Sequence, residues 1–236
     1  MMRDDCQAWH ERSYEVGGFG SQRKYPNEEF CRFVGRNYGH VPRETRRLMS
    51  FLELGCGSGS NIWMVQKEGF AAHGIDFSEG AIQQCAITQS QFGVQFKTRI
   101  GDMRKLDMPD ACFDVVYDVF ATYCLDEQEI EQCLDEVSRV LKRGGKFFTY
   151  APSKGSDVFK RSTAEDRLDG STLDGIRIEG TPFYGNSYPF RFVSKDEART
   201  MMEKRHLRVP YLETVSRTYK GGTEYFEFVV MEAVKP

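Results

Sequence analysis

Phe51-Leu-Glu-Leu-Gly-Cys-Gly-Ser-Gly-Ser-Asn61 decides the fold: an apolar run that includes one acid, three glycines at alternate positions, then the start of a helical pattern. Gly55, Gly57 and Gly59 admit positive φ and carry no side chain. Backbone N–H groups can therefore approach a ligand at the mouth of the next helix, where the macrodipole favours an anionic group. Such a loop suits a nucleotide or an amino-acid carboxylate equally well. The nicotinamide dinucleotide fingerprint needs its third glycine at position 60, where this chain has Ser60, which argues against an oxidoreductase. Two more acids follow, Asp76 in Gly-Ile-Asp-Phe-Ser and Asp102 in Gly-Asp-Met. In a doubly wound sheet adjacent strand ends line one crevice, so Glu53, Asp76 and Asp102 are expected to face a common ligand.

Around that stretch, apolar runs alternate with segments of helical period, the rhythm of an α/β fold with a parallel sheet and crossover helices. Strands are expected at Phe51–Leu54, Ala71–Asp76, Val94–Ile100, Phe113–Asp118 and Lys146–Ala151, and helices at Ile62–Gly69, Ser78–Ser90 and Asp126–Leu141. Ile130, Cys133, Leu134, Val137, Val140 and Leu141 recur at three- and four-residue spacing, and Gly144-Gly145 is expected to stop that helix and release the next strand. Residues 152–193 break the rhythm with glycines, prolines and an aromatic cluster, Phe183, Tyr184, Tyr188, Phe190 and Phe192. They read as an insertion after the fifth strand, and their six basic and six acidic residues cancel. Ser194 caps a helix expected over Lys195–Leu207, and Val209–Tyr219 and Tyr225–Val234 read as antiparallel strands closing the sheet. Residues 1–45, rich in aromatic residues among charges, form an expected helical cap on the domain of residues 46–236.

These motifs resemble the class I S-adenosylmethionine-dependent methyltransferases, with good agreement over about residues 48–151. The resemblance implies a doubly wound, mostly parallel seven-stranded sheet with an antiparallel C-terminal strand. It implies S-adenosylmethionine as cofactor, with Gly55, Gly57 and Gly59 as the loop and Glu53 beneath it toward the methionyl amine. Asp76 would grip the ribose hydroxyls, with Phe77 against the adenine. Asp102 would meet the exocyclic amine and the Met103 backbone the ring. Asp118, in Asp114-Val-Val-Tyr-Asp-Val-Phe-Ala, falls where the fourth strand meets the methionyl group and substrate, although a carboxylate there also serves as a turn cap. A sulfonium favours acidic or aromatic surroundings, for which Tyr14, Tyr25 and Tyr123 offer π faces. His40 and Tyr123 are the general-base candidates, and His73 and His206 read as structural.

Composition narrows the acceptor. With 32 Lys+Arg against 35 Asp+Glu there is no positive excess to attract a polyanion. Neither the Asn/Asp-Pro-Pro-Tyr/Phe tetrapeptide of amino-group DNA methylation nor a Pro-Cys nucleophile occurs. The expected activity is methyl transfer to an oxygen or nitrogen of a small molecule, achieved mainly by alignment. The alternatives are a protein or RNA methyltransferase of the same fold, or a catalytically silent S-adenosylmethionine-binding scaffold. Residues 152–193 lie at the edge where substrate enters and are expected to form a lid with the N-terminal segment. Seven cysteines without ligand spacing, no basic and apolar leader, and no long apolar run predict a cytoplasmic protein without metal, disulfide or membrane contact.

Overall fold

Seven of the apolar runs join one sheet in the computed structural model, which describes residues 2–236. The strands are β1 (Ser50–Leu54), β2 (Ala71–Asp76), β3 (Lys97–Ile100), β4 (Phe113–Val119), β5 (Leu141–Pro152), β8 (Arg208–Tyr219) and β9 (Glu224–Val234), in the order β3-β2-β1-β4-β5-β9-β8. β1 to β5 are mutually parallel, and β9 runs antiparallel to both its neighbours. Since β1 lies between β2 and β4, the chain leaves it in both directions, and the carboxyl ends of these three strands open a crevice. Period-two alternation divides the core between two faces. Phe51, Val115, Tyr117 and Phe148 pack on one side, and Leu52, Leu54, Val116 and Phe147 on the other.

Helices cover both faces. α2 (Glu28–Tyr38) starts at Asn27, whose side chain accepts from Glu29 and Phe30 N–H, and buries Phe30 against Tyr117 at 4.2 Å between ring centres. α4 (Ile62–Lys67) follows the glycine loop, and α5 (Glu79–Phe92) is capped by Ser78 and ended by Gly93 in the left-handed region. On the opposite face α6 (Glu127–Val140) and α8 (Lys195–Glu203) each begin with a reciprocal capping box, Asp126 with Glu129 and Ser194 with Glu197.

The N-terminal residues form α1 (Met2–Ser21), kinked at Gly18, then α2 and the short α3 (Arg43–Arg46). α1 lies on α5. Glu11 accepts from the Glu79 and Gly80 N–H groups at 2.7 and 3.1 Å, supplying from outside the carboxylate that a helix N-terminus favours. Residues 152–193 carry α7 (Asp157–Arg161) and a two-stranded ladder of β6 (Thr172–Leu173) and β7 (Phe190–Arg191), over buried Phe159, Tyr188, Phe190 and Phe192. Among the described residues no helix is long and apolar enough to cross a membrane.

Two expected boundaries move. Gly144-Gly145 does not separate helix from strand: Phe113 already pairs with Leu141, the ladder resumes at Val115 with Lys146, and the glycines sit in the irregularity between, Gly144 at φ 77°. Buried Leu141 is drawn into the sheet before the glycines are reached. Val94–Phe96 stays outside the sheet, whose pairing with β2 begins at Lys97 opposite His73. These residues instead bury Val94 and Phe96, the latter against the glycine loop.

The packing of α4 and the glycine loop on β2 leaves no space at Gly74. A Cβ there would stand 2.4 Å from Ile62 Cδ1 and 2.8 Å from Cys56 Cβ. Gly74→Ala should destabilise the protein by about 1–3 kcal/mol, the usual cost of overpacking a core, seen as a lower urea midpoint with unchanged slope.

Candidate functional site

The crevice is assembled from strand tips. β1 delivers Glu53 and the loop of residues 55–59, β2 delivers Asp76 and Phe77, and the segment after β3 delivers Asp102 and Met103. Gly55 adopts φ 60°, and a Cβ there would lie 2.3 Å from that of Ala121, so the turn after β4 closes directly on the loop. Gly57 adopts φ 53° and donates its N–H to Asp76 Oδ2 at 2.8 Å. Asp76 Oδ1 accepts from Ser78 N–H at 2.9 Å. Gly59 N–H turns back to the Cys56 carbonyl at 3.0 Å, completing the curl. Burial raises the Asp76 pKa, and the two amide donors oppose that rise.

Glu53 is 1% exposed beneath this loop. Its Oε1 accepts from the Asn61 amide at 2.5 Å, whereas Oε2 has no hydrogen-bond partner. The adjoining Tyr117 hydroxyl is likewise without a properly oriented partner. Desolvation pushes the Glu53 carboxyl up to about 8, against the opposing effects of Asn61 and Arg23. Asn61 also accepts from Asn27 N–H and from Arg23, whose guanidinium donates to Ser60 Oγ as well. Tyr117 adjoins the carboxyl without an aligned hydrogen bond, so a cationic donor that reached Oε2 would favour the ionised form of the acid.

α1 supplies His10, which sequence reasoning missed, beside Tyr14, which it offered as a π face. Cys6, His10 and Tyr14 recur every four residues along it, a spacing that marks one face of a helix. The His10 ring stands 5.5 Å from that of Phe77 and 5.2 Å from that of Tyr188, and Tyr14 Oη lies 3.1 Å from the point a Gly57 Cβ would occupy. His10, Tyr14, Gly55, Asp76, Phe77, Met103, Phe120, Ala121 and Tyr123 surround a cavity of about 90 Å³.

Several expected roles change. His40 is exposed beyond the end of α2, near Arg46, which donates to the Gly39 carbonyl. That is the amino-end edge of the sheet, because neighbouring Tyr38 packs on Phe51 and Phe70 at the starts of β1 and β2, so His40 does not reach the crevice. Tyr25 is 68% exposed, its ring edge-on to Phe92 and not part of the cavity lining. Asp118 is fully buried and accepts from Ala121 N–H, Thr122 N–H, Thr122 Oγ1 and Thr149 Oγ1, so it fixes the turn after β4 and has no oxygen left facing a cofactor. Tyr123 lines the cavity and shares a 2.5 Å hydrogen bond with Tyr188, but burial drives its phenol far up. It is a neutral donor, not a base. Asp102 stands beside the cavity with its carboxylate on Arg104, which also pairs with Glu129.

Asp118 holds a strained neighbour. Phe120 adopts φ 61°, a genuine outlier for a bulky residue, secured by its N–H on the Tyr150 carbonyl at 2.9 Å. That conformation sets its ring between the 90 Å³ cavity and a second, larger cavity of about 340 Å³.

A family model described as a methyltransferase domain matches residues 51–145, the segment that builds the crevice. A sterol 24-C-methyltransferase of Gibberella zeae is 31% identical over 157 residues, covering 63% of this chain and 40% of that protein. A tRNA N(3)-methylcytidine methyltransferase of Schizosaccharomyces pombe is 24% identical, covering 57% of this chain and 52% of the other. The chain thus spans about half the length of these curated relatives. Among solved structures, a Burkholderia thailandensis 1,6-didemethyltoxoflavin-N1-methyltransferase with its substrate and S-adenosylhomocysteine superposes with a TM-score of 0.70 at 16% identity, covering 99% and 88% of the two chains. The chain has the fold of the class I S-adenosylmethionine-dependent methyltransferases. Residues 51–145 match that methyltransferase-domain family and build the crevice.

Glu53 gives this site a pH signature. A carboxyl raised from its ordinary 4.5 to about 8 binds more protons in the folded than in the unfolded chain between those values, so it lowers stability as pH rises through that window. Glu53→Gln should be more thermostable than the parent at pH 9, with the difference shrinking toward pH 5, in melting curves of the ligand-free protein.

Proposed function

We propose that the protein transfers the methyl group of S-adenosylmethionine to an oxygen or nitrogen of a small molecule. The observation that carries this reading is the Asp76 carboxylate, seated at the β2 tip and bonded to the Gly57 amide. Each of its oxygens has one amide donor and lone-pair capacity to spare, and two adjacent carboxylate oxygens match the two donors of a ribose diol. The bare Oε2 of Glu53 suits the methionyl ammonium, and Phe77 and Met103 offer apolar walls to the adenine. The bound cofactor supplies an electrophilic methyl on a sulfonium. The chain's own work is to orient and to exclude water, and alignment of this kind reaches effective molarities of about 10⁵–10⁸ M. A nitrogen or oxygen lone pair attacks without a strong base, which fits a cavity where Tyr123 is held neutral and His10 is the nearest imidazole.

The cavity of about 90 Å³ is below the roughly 300–1,000 Å³ typical of small-molecule sites, because His10 and Tyr14 project into it. In this reading α1 withdraws when the cofactor enters, pivoting at Gly18, and with residues 152–193 forms the cover of the site. Trp9, whose ring is 5.2 Å from that of Tyr188, sits at that seam.

S-adenosylhomocysteine should bind with micromolar affinity, on the order of −8 kcal/mol, and NAD should not bind, in titration calorimetry. Asp76→Ala should weaken S-adenosylhomocysteine at least about tenfold, by loss of a charged acceptor from a buried diol. Affinity unchanged by that substitution would count against the ribose assignment. Absence of turnover across a broad acceptor panel, with cofactor bound, would favour a silent scaffold. Binding should also alter Trp9 fluorescence, a signal that Trp9→Phe removes.

A further inference from the structure

The cavity of about 340 Å³ lies on the far side of Phe120, away from Asp76 and Gly55. Its walls are Phe120, Tyr150, Phe183, Tyr219 and Phe228, with Arg23, Asn27, Glu28 and Arg217 around them. Tyr150 and Phe228 stack at 4.4 Å between ring centres with 17° between planes, and Phe120 and Phe183 approach each other at 5.0 Å. Such surfaces accept a flat apolar body.

The charges are unbalanced. Arg23 donates only to the neutral oxygens of Ser60 and Asn61. Arg217 has no carboxylate at ion-pair distance among the described residues, and Glu28 acts on it only from further off. Glu28, the one acid of the lining, is already bonded to Arg32 at 2.8 Å. Neither guanidinium is ion-paired, although Glu53 acts on Arg23 and Glu28 on Arg217 from further off, and both arginines line a cavity whose walls besides Glu28 are neutral. Guanidinium forks match carboxylate, sulfonate and phosphate oxygens.

Resting on the methyltransferase reading above, we propose that this cavity holds the methyl acceptor and that the acceptor is a flat, largely apolar molecule bearing an acidic group. The acid sits between Arg23 and Arg217, the body lies against the Tyr150–Phe228 pair, and the nucleophile points past Phe120 toward the methyl group. In the transfer itself the acceptor's lone pair forms the new bond to the methyl carbon as the sulfur–carbon bond breaks. The sulfur keeps that bonding pair and becomes a neutral thioether, and the acceptor's proton passes to solvent.

The test uses the full chain saturated with S-adenosylhomocysteine and a matched probe pair, naphthalene-1-acetate and naphthalene-1-acetamide, which differ in charge but hardly in shape. The acetate should bind at least about tenfold more tightly than the amide. Arg217→Gln should bring the two within about twofold while leaving S-adenosylhomocysteine affinity unchanged. Equal affinities in the parent protein, no binding of either probe, or a charge preference that survives Arg217→Gln would each overturn the proposal. Arg23→Gln that weakens only S-adenosylhomocysteine and not the acetate would do the same, by assigning that arginine to the cofactor. Failure to bind S-adenosylhomocysteine at all would instead bring down the methyltransferase reading, so the two failures are separable.

Discussion

The 2.8 Å hydrogen bond from Gly57 N–H to Asp76 ties the loop after β1 to the tip of β2, and most of the crevice is arranged around it. The same carboxylate receives Ser78 N–H, so one acid fixes the glycine loop and the entry to α5 together. α5 in turn presents the N–H groups that Glu11 accepts, which seats α1 and brings His10 and Tyr14 over the loop. Tyr14 is itself held by its carbonyl on Gln84 of α5. Removing the Asp76 acceptor thus acts on more than a ligand contact. It frees two amides at the loop and at the entry to α5, and so also loosens the platform under α1.

A second carboxylate makes the opposite trade. Glu53 carries a stability cost above about pH 5 because its oxygens are withdrawn from water and only one is compensated. No packing gain explains an acid at this position, since Leu52 and Leu54 on either side fill the other face of β1. A cationic ligand resolves the imbalance by supplying a donor and favouring the ionised form. Asp118 differs from it in kind: four donors saturate it, so its burial serves structure, and the strain it underwrites at Phe120 is what separates the two cavities.

Much of this frame was legible in the chain. Parallel strands buried on both faces read as apolar runs, and the glycine spacing with Asp76 located the crevice. The boundaries at Gly144-Gly145 and Val94–Phe96 moved because sheet pairing overrides local stop signals: Leu141 gains a partner in Phe113 before the glycines can act. His40 and Tyr25 were attractive by residue type alone, and their distance from the crevice follows from the direction α2 takes across the sheet, which no local pattern encodes. His10 carried a usable signal, the four-residue spacing of Cys6, His10 and Tyr14. Its value depended on where α1 docks, which Glu11, Gln7 and Gln84 decide through contacts about 70 positions apart.

Those long-range contacts bear on how the site opens. α1 is joined to α5 by a few polar bonds at partly exposed positions, and its ring contacts with residues 152–193 run through Trp9 and His10 to Tyr188. Exposed hydrogen bonds contribute about 1 kcal/mol each and exchange readily with water. The Phe30, Phe33 and Tyr38 side chains of α2, by contrast, are fully packed in the core. α1 adds to its polar bonds buried Cys6 and the ring contacts of Trp9 and His10, a smaller apolar footing than that of α2. The kink at Gly18 lies between the two, so displacement of α1 need not disturb the floor of the acceptor cavity, where Tyr150 and Phe228 stay stacked. Under the proposed function, Phe120 divides a cofactor side, which lies under α1, from an acceptor side backed by the stacked Tyr150 and Phe228 rings.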